Sequence, residues 1–186
     1  MNLKHKKLVK LLQKAYSAEK AAAFAYIGHS KSLSNQKHKA AVKQIEIDEW
    51  NHRKEVLVIM NQYYVPISKY AEFKYYIIGK TISFSCYVIG WFMPIYFAGR
   101  LESGNVCEYF KMMHYFHELG IHIHDETLYE MGMKEKEHEV FFINMIKNNK
   151  LLPLFEKIFF WGSNSFNDVD LEKKYTLENA DAYCRK

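Results

Sequence analysis

Apolar residues recur every three to four positions along most of the chain, which is the spacing that predicts amphipathic α-helices. Two long segments with this pattern come first, over residues 3–33 and 37–63, with Ser34 and Asn35 between them. Neither segment contains proline, which would break the interior of a helix. We therefore predict two long helices joined by a short loop.

The next part of the chain is unusually apolar. After a predicted connector over residues 64–73, apolar residues dominate 75–98, and no charged residue occurs over 81–99. A membrane-spanning helix needs about 20 such residues, so length alone would allow a span. Serines, a glycine and Pro94 inside the segment argue against one. We favour a segment that is buried in the protein or lies on a membrane surface.

The remaining pattern is again helical. Long helices are predicted over residues 94–119 and 123–148, and a short amphipathic helix over 151–161. Residues 163–186 are polar and weakly periodic, which indicates a tail or an extension that wraps around the protein. The fold class is therefore all-α, with residues 1–162 forming one domain that contains four long helices and additional apolar and C-terminal helices.

Composition and charge restrict the function only weakly. The net charge of +5 is mild, and no basic stripe interleaved with aromatic residues is visible beyond the N-terminal lysines, which argues against nucleic acid as a partner. The three cysteines are far apart, with no Cys-x-x-Cys motif and no disulfide framework, and the basic N-terminus has no apolar signal segment. We therefore expect a cytoplasmic protein, and a peripheral contact with the cytoplasmic membrane face is compatible with this.

Two Glu-x-x-His motifs carry the candidate chemistry. They run from Glu49 to His52 and from Glu135 to His138, and each lies in a long predicted helix. Residues three apart share one face of a helix, so the carboxylate and the imidazole of each motif can ligate the same metal ion. In ferritin-like di-metal bundles two helices each supply such a motif, and the other two helices each supply one glutamate.

Glu19 and Glu102 are the candidates for the two further glutamates, because each lies beside small residues that let helices approach closely. In an antiparallel pair of helices, two residues at the same depth lie symmetrically about the loop. The midpoint of the two glutamates in the first pair falls at Ser34, and that of the second pair falls beside Gly120, both in predicted loops. Glu108 stays open as an alternative to Glu102, since its midpoint also lies near the second loop.

The predicted metal ligands are thus four glutamates and two histidines: Glu19, Glu49, His52, Glu102, Glu135 and His138. Together they nearly balance two divalent cations, whereas four buried glutamates without metal would repel one another. Oxygen-rich ligation without thiolates suits iron better than zinc, and we predict two iron ions, with manganese as the alternative. A second histidine group surrounds Gly120: His114, His117, His122 and His124. It could bind a metal, although histidines in loops are usually solvated.

The ligand order resembles the demethoxyubiquinone hydroxylase family of di-iron proteins. The 30-residue step between Glu19 and Glu49 is also similar to that family, and the resemblance covers residues 10–160. It implies a ferritin-like antiparallel four-helix bundle in which the glutamates of the two motifs bridge the irons, while the other glutamates and the two histidines are terminal ligands. The glutamates are then also the catalytic residues: Glu19, Glu49, Glu102 and Glu135. The aromatic-rich segment 86–94 departs from the family pattern.

The resemblance implies an oxidoreductase, a monooxygenase that activates dioxygen and hydroxylates a small lipophilic, quinone-like substrate at a membrane surface. Such an enzyme needs an electron donor, which the sequence does not identify, and the sequence leaves a homo-oligomer open. The same ligands would serve a rubrerythrin-like peroxidase, an iron-handling ferritin-like protein or a tRNA-modifying hydroxylase of the same fold. A metal-free helical scaffold is the non-enzymatic alternative.

Overall fold

The structure is a computed structural model that describes residues 3–161. These residues form six helices and no strand, which confirms the all-α class and is consistent with a helical bundle. The helices are α1 (Lys6–Ser32), α2 (Gln36–Gln62), α3 (Lys69–Ser85), α4 (Phe92–His117), α5 (Asp125–Ile146) and α6 (Leu152–Phe159). The tail predicted over residues 163–186 lies outside the described residues.

The chain divides into two compact units, Met1–Pro94 with Tyr115–His124, and Ile95–His114 with Asp125–Lys186. In the first unit, α1 packs against both α2 and α3. Side-chain caps set where these helices begin, because they satisfy backbone N–H groups that lack a partner in the helix. The Asn35 side chain accepts hydrogen bonds from the first turn of α2, and the Ser68 hydroxyl accepts one from the first turn of α3.

The apolar part of the chain differs from the expectation. Helix α3 begins at Lys69, inside the predicted connector, and ends at Ser85; a turn through Gly90, with φ of 76°, then leads into α4. No helix within residues 3–161 is long and apolar enough to cross a membrane. Gly79 is the one buried residue of α3. Of the two expected positions for this segment, burial in the protein is therefore wrong for α3, and a position on a membrane surface stays a prediction.

Two glycines allow α3 to lie directly against α1. A Cβ built on Gly79 would lie 2.7 Å from the Cα of Ala21, and one built on Gly28 would overlap the carbonyl and hydroxyl oxygens of Ser83. Both contacts involve backbone atoms, which cannot rotate away as a flexible side chain could. The small residues thus fix the separation of the two helices.

Replacement of Gly28 by alanine should lower the free energy of unfolding by about 1–3 kcal/mol, because α3 must move away from α1 to make room for the methyl group. Urea denaturation followed by circular dichroism measures this change. Gly104→Ala is the matched control, since Gly104 lies within α4 and no atom lies within 4 Å of the position that the new methyl group would occupy. That variant should be up to about 1 kcal/mol more stable than the original protein. Equal changes in the free energy of unfolding for the two substitutions would contradict the close contact between α1 and α3 at Gly28.

In the second unit, aromatic residues in α6 and just after it pack against α4. Trp161 lies against Gly99 where a Cβ would otherwise project, and its backbone N–H donates to the Tyr96 hydroxyl at 3.2 Å. That hydroxyl donates to the Glu156 carboxylate at 2.8 Å, and the Tyr96 ring contacts the ring of Phe155. These contacts hold the short helix α6 on the start of α4.

A charged pair is buried in the same unit. The Lys136 Nζ donates to the Glu139 carboxylate at 2.9 Å, and both side chains are almost completely buried. The indole N–H of Trp161 donates to the other oxygen of Glu139 at 2.9 Å. Since a buried charge without such partners is costly, this network ties the end of the described chain to α5.

Cys86 is a free and buried thiol, and burial raises its pKa to about 11.

Candidate metal centre

Helices α1 and α2 carry three of the predicted ligands. Glu19 is on α1, while Glu49 and His52 are on α2, and all three side chains are buried. Both residues of the Glu-x-x-His motif are buried because three-residue spacing places them on one face of α2. Carboxylates and imidazoles are rarely buried in this number without a specific role.

Helices α4 and α5 carry the other three predicted ligands. Glu102 on α4 and Glu135 and His138 on α5 are also buried. The Nδ1 of His138 lies 3.7 Å from a carboxylate oxygen of Glu135, so the two side chains of this motif point the same way. The amide of Asn105 donates to the Glu102 carboxylate at 3.1 Å, which restrains that carboxylate from one turn further along α4.

These side chains form two groups that could hold metal ions. The ligand atoms in each group all lie within 4.8 Å of one another. The first group is Glu19, Glu49, His52 and Glu135, and the second is Glu49, Glu102, Glu135 and His138. Glu49 and Glu135 therefore belong to both groups, and each of the other four ligands belongs to one.

The chemistry of the donors fits a pair of divalent cations. Each group offers three carboxylates and one imidazole, and no thiolate is present in either. Such oxygen-rich sets suit iron or manganese better than zinc. All donors are buried, so the negative charges are screened little by water and favour a bound cation strongly.

The structure distinguishes between the two candidate ligands on α4. Glu102 is buried and belongs to the second group, whereas Glu108 is only partly buried and belongs to neither group. The tyrosines that lie near the predicted ligands along the sequence are buried as well: Tyr16, Tyr26 and Tyr109. The ring of Tyr16 lies under the guanidinium of Arg53 at 3.6 Å, so this tyrosine packs against a cation.

An ion network next to His52 was not evident in the sequence. Arg53 donates from both terminal nitrogens to the carboxylate of Glu72 on α3, at 3.0 and 2.8 Å, and also to the backbone oxygen of Tyr16. Lys20 of α1 donates to the same carboxylate at 3.0 Å. The network therefore joins the three helices of the first unit beside the ligand His52. The sequence shows that these residues are charged, but it could not predict how they pair, because the partners are far apart in the chain.

This network makes stability depend on pH. Burial raises the pKa of Glu72, but the hydrogen bonds from Arg53 and Lys20 outweigh burial and lower it from 4.5 to about 2. A lowered pKa in the folded state means that the stabilisation is complete above pH 4.5 and is lost as the pH falls towards 2.

Glu72→Gln should therefore lower the free energy of unfolding by about 1–2 kcal/mol at pH 7, since solvent screens part of the interaction. The difference from the original protein should shrink at pH 3, and urea titrations at the two pH values measure it. Glu55→Gln replaces an exposed glutamate of α2 and should change stability by less than about 0.5 kcal/mol at either pH. A loss in the free energy of unfolding of Glu72→Gln that is the same at pH 7 and pH 3 would contradict the lowered pKa of Glu72.

No family model, curated protein or solved structure matches the chain. The resemblance to the demethoxyubiquinone hydroxylase family therefore remains a prediction from the ligand pattern. The candidate centre rests on the position and burial of this chain's own residues.

Proposed function

We propose that the protein is a ferritin-like di-iron monooxygenase that activates dioxygen and hydroxylates a lipophilic, quinone-like molecule. One observation supports this proposal above the others: two buried groups of carboxylates and imidazoles share Glu49 and Glu135. Two shared carboxylates between two sites are the arrangement expected for a pair of metal ions held close together. Manganese is the alternative metal, because the same donors suit it.

The six ligands divide between the two ions by group. Glu19 and His52 would hold one ion, Glu102 and His138 the other, and the shared glutamates would contact both. Reduced iron, when bound, supplies the electrons and the coordination positions that dioxygen activation requires. Each hydroxylation consumes one dioxygen, two electrons in total and two protons, and it releases the hydroxylated product and one water. The electrons must come from an external reductant.

The protein's own contribution is to fix the donors and to exclude water. Burial of all six side chains favours a bound cation beside the carboxylates, and it protects a reactive centre from solvent. Asn105 restrains the Glu102 carboxylate through its amide. The network of Arg53 and Glu72 fixes α2 beside His52.

A lipophilic substrate is supported by an exposed apolar face in the first unit. The α3 face consists of large apolar residues that are at least 48% exposed on α3 and in the turn that follows: Tyr70, Phe73, Ile77, Phe84, Tyr87, Val88 and Trp91. Exposed lysines accompany it: Lys69, Lys74 and Lys80. Apolar side chains bordered by lysines suit the surface of a membrane with anionic lipids, from which a lipophilic substrate could be taken.

The test is turnover with purified protein loaded anaerobically with ferrous iron. Two irons per chain, and a product that contains one oxygen atom from ¹⁸O₂ when a short-chain quinol and a chemical reductant are supplied, would support the proposal. Glu55→Gln should hydroxylate as the original protein does, and Glu49→Gln should not. Two bound irons with rapid peroxide reduction and no hydroxylated product from quinols would favour the rubrerythrin-like peroxidase instead. A protein without bound metal, whose melting temperature does not respond to EDTA, would overturn both.

A further inference from the structure

A separate set of metal-ligand side chains lies at the turn between α4 and α5. His117 is the last residue of α4, His122 lies in the turn, and Asp125 is the first residue of α5. Their ligand atoms all lie within 4.8 Å of one another. The two imidazole rings are close, with their centroids 4.3 Å apart. None of these residues belongs to the buried groups described above.

The backbone of the turn brings His122 back towards His117. The N–H of Gly120 donates to the carbonyl of His117 at 2.9 Å, and the N–H of Ile121 donates to the carbonyl of Phe116 at 3.0 Å. Gly120 has a φ of 69°, a conformation that glycine adopts without the strain other residues would incur. The reversal of the chain is therefore built into the sequence at this position.

His124 anchors the turn and has a different role from its neighbours. It is buried, its ring lies 4.8 Å from the ring of Phe116, and its Nε2 lies 2.8 Å from the Tyr63 hydroxyl. The anchored His124 limits the freedom of His122, two residues before it, and of Asp125, directly after it. Side chains that are already restrained lose less entropy when they bind an ion.

We propose that His117, His122 and Asp125 bind one divalent transition-metal ion of the zinc type at the protein surface. Two imidazole nitrogens and one carboxylate oxygen are a common donor set for such an ion, with water in the remaining position. The two imidazoles disfavour calcium and magnesium, which prefer oxygen ligands. The bound ion links the last residue of α4 to the first residue of α5. This inference does not depend on the function proposed for the buried centre.

The experiment uses the full-length protein with its buried centre loaded with iron. Cobalt(II), a spectroscopic substitute for zinc, is titrated in while visible absorption is recorded, and retained iron is measured by elemental analysis. We expect one equivalent of cobalt with tetrahedral absorption bands, displaced by zinc, without loss of iron. His114→Asn is the control, because His114 is an exposed histidine near the turn that is not in the group; it should bind cobalt as the original protein does.

His122→Asn should weaken cobalt binding by at least about 100-fold, since loss of even an outer-shell partner of a metal ligand reduces affinity 10- to 100-fold. His117→Asn should act in the same way, which guards against a folding defect in one variant. Circular dichroism establishes that both variants are folded. Absence of an additional equivalent in the original protein would overturn the proposal. Equal cobalt affinity in the original protein and in both folded histidine variants would overturn it as well.

Discussion

Glu135→Gln is expected to reduce the iron retained by the purified protein at least about tenfold, because this glutamate belongs to both buried groups and an amide is a weak ligand for iron. Glu49→Gln should have the same effect. Glu19→Gln and Glu102→Gln each alter one group, so they should leave a larger share of the metal bound. Elemental analysis after dialysis, with iron expressed per chain, measures the difference.

The matched control for these variants is Glu108→Gln, which changes a partly buried glutamate of α4 outside both groups. It should retain the full complement of iron. The metal-free form of Glu135→Gln should be at least as stable as the metal-free original, because one of several mutually repelling carboxylates has been neutralised. Equal iron contents for Glu135→Gln and Glu108→Gln would refute the assignment of Glu135 as a shared ligand.

Lys136→Ala should lower the free energy of unfolding by about 3–5 kcal/mol, the largest change in stability that we expect from a single substitution. The reason is that the fully buried Glu139 carboxylate would lose the ammonium group beside it and would have no water to replace it. The indole N–H of Trp161 would still donate to that carboxylate, but one neutral donor does not replace a cation. Urea denaturation of the metal-free protein measures the loss without interference from bound ions.

Lys134→Ala provides a control on the same helix with the same spacing. Lys134 and Glu137 form an exposed pair three residues apart, so removal of the lysine should cost less than about 1 kcal/mol. A double substitution, Lys136→Met with Glu139→Leu, should recover most of the stability because no buried charge remains. Similar losses for Lys134→Ala and Lys136→Ala would mean that burial does not determine the effect.

Much of the helical fold follows from local pattern. The boundaries of α1, α2 and α5 lie within three residues of those expected, because an amphipathic period identifies the buried face of a helix directly. An additional apolar helix was expected, but the start of α3 at Lys69 and the exposure of its apolar residues were not, since an apolar run has no period that distinguishes a buried helix from an exposed one. Its start depends on the Ser68 cap, and its packing depends on glycines that meet α1.

The residues of the candidate site could be predicted from the sequence better than the interactions around them. Each Glu-x-x-His motif is local, and burial of both residues follows from helical geometry once one face points inward. The preference for Glu102 over Glu108 had rested on the small, apolar residues beside Glu102, because symmetry about the loop fitted both glutamates. The partners of Glu72, and the Trp161 indole that donates to Glu139, come from distant parts of the chain, so no local pattern could have indicated them.

The α3 face also gives the protein a built-in optical probe. The chain has three tryptophans: Trp50, Trp91 and Trp161. Trp161 is buried, and Trp50 is partly buried with its ring against Phe24, whereas Trp91 is 52% exposed. A change in the colour of intrinsic fluorescence when lipid vesicles are added would therefore originate mainly from Trp91. Contact between this face and a bilayer can be followed without attaching a dye.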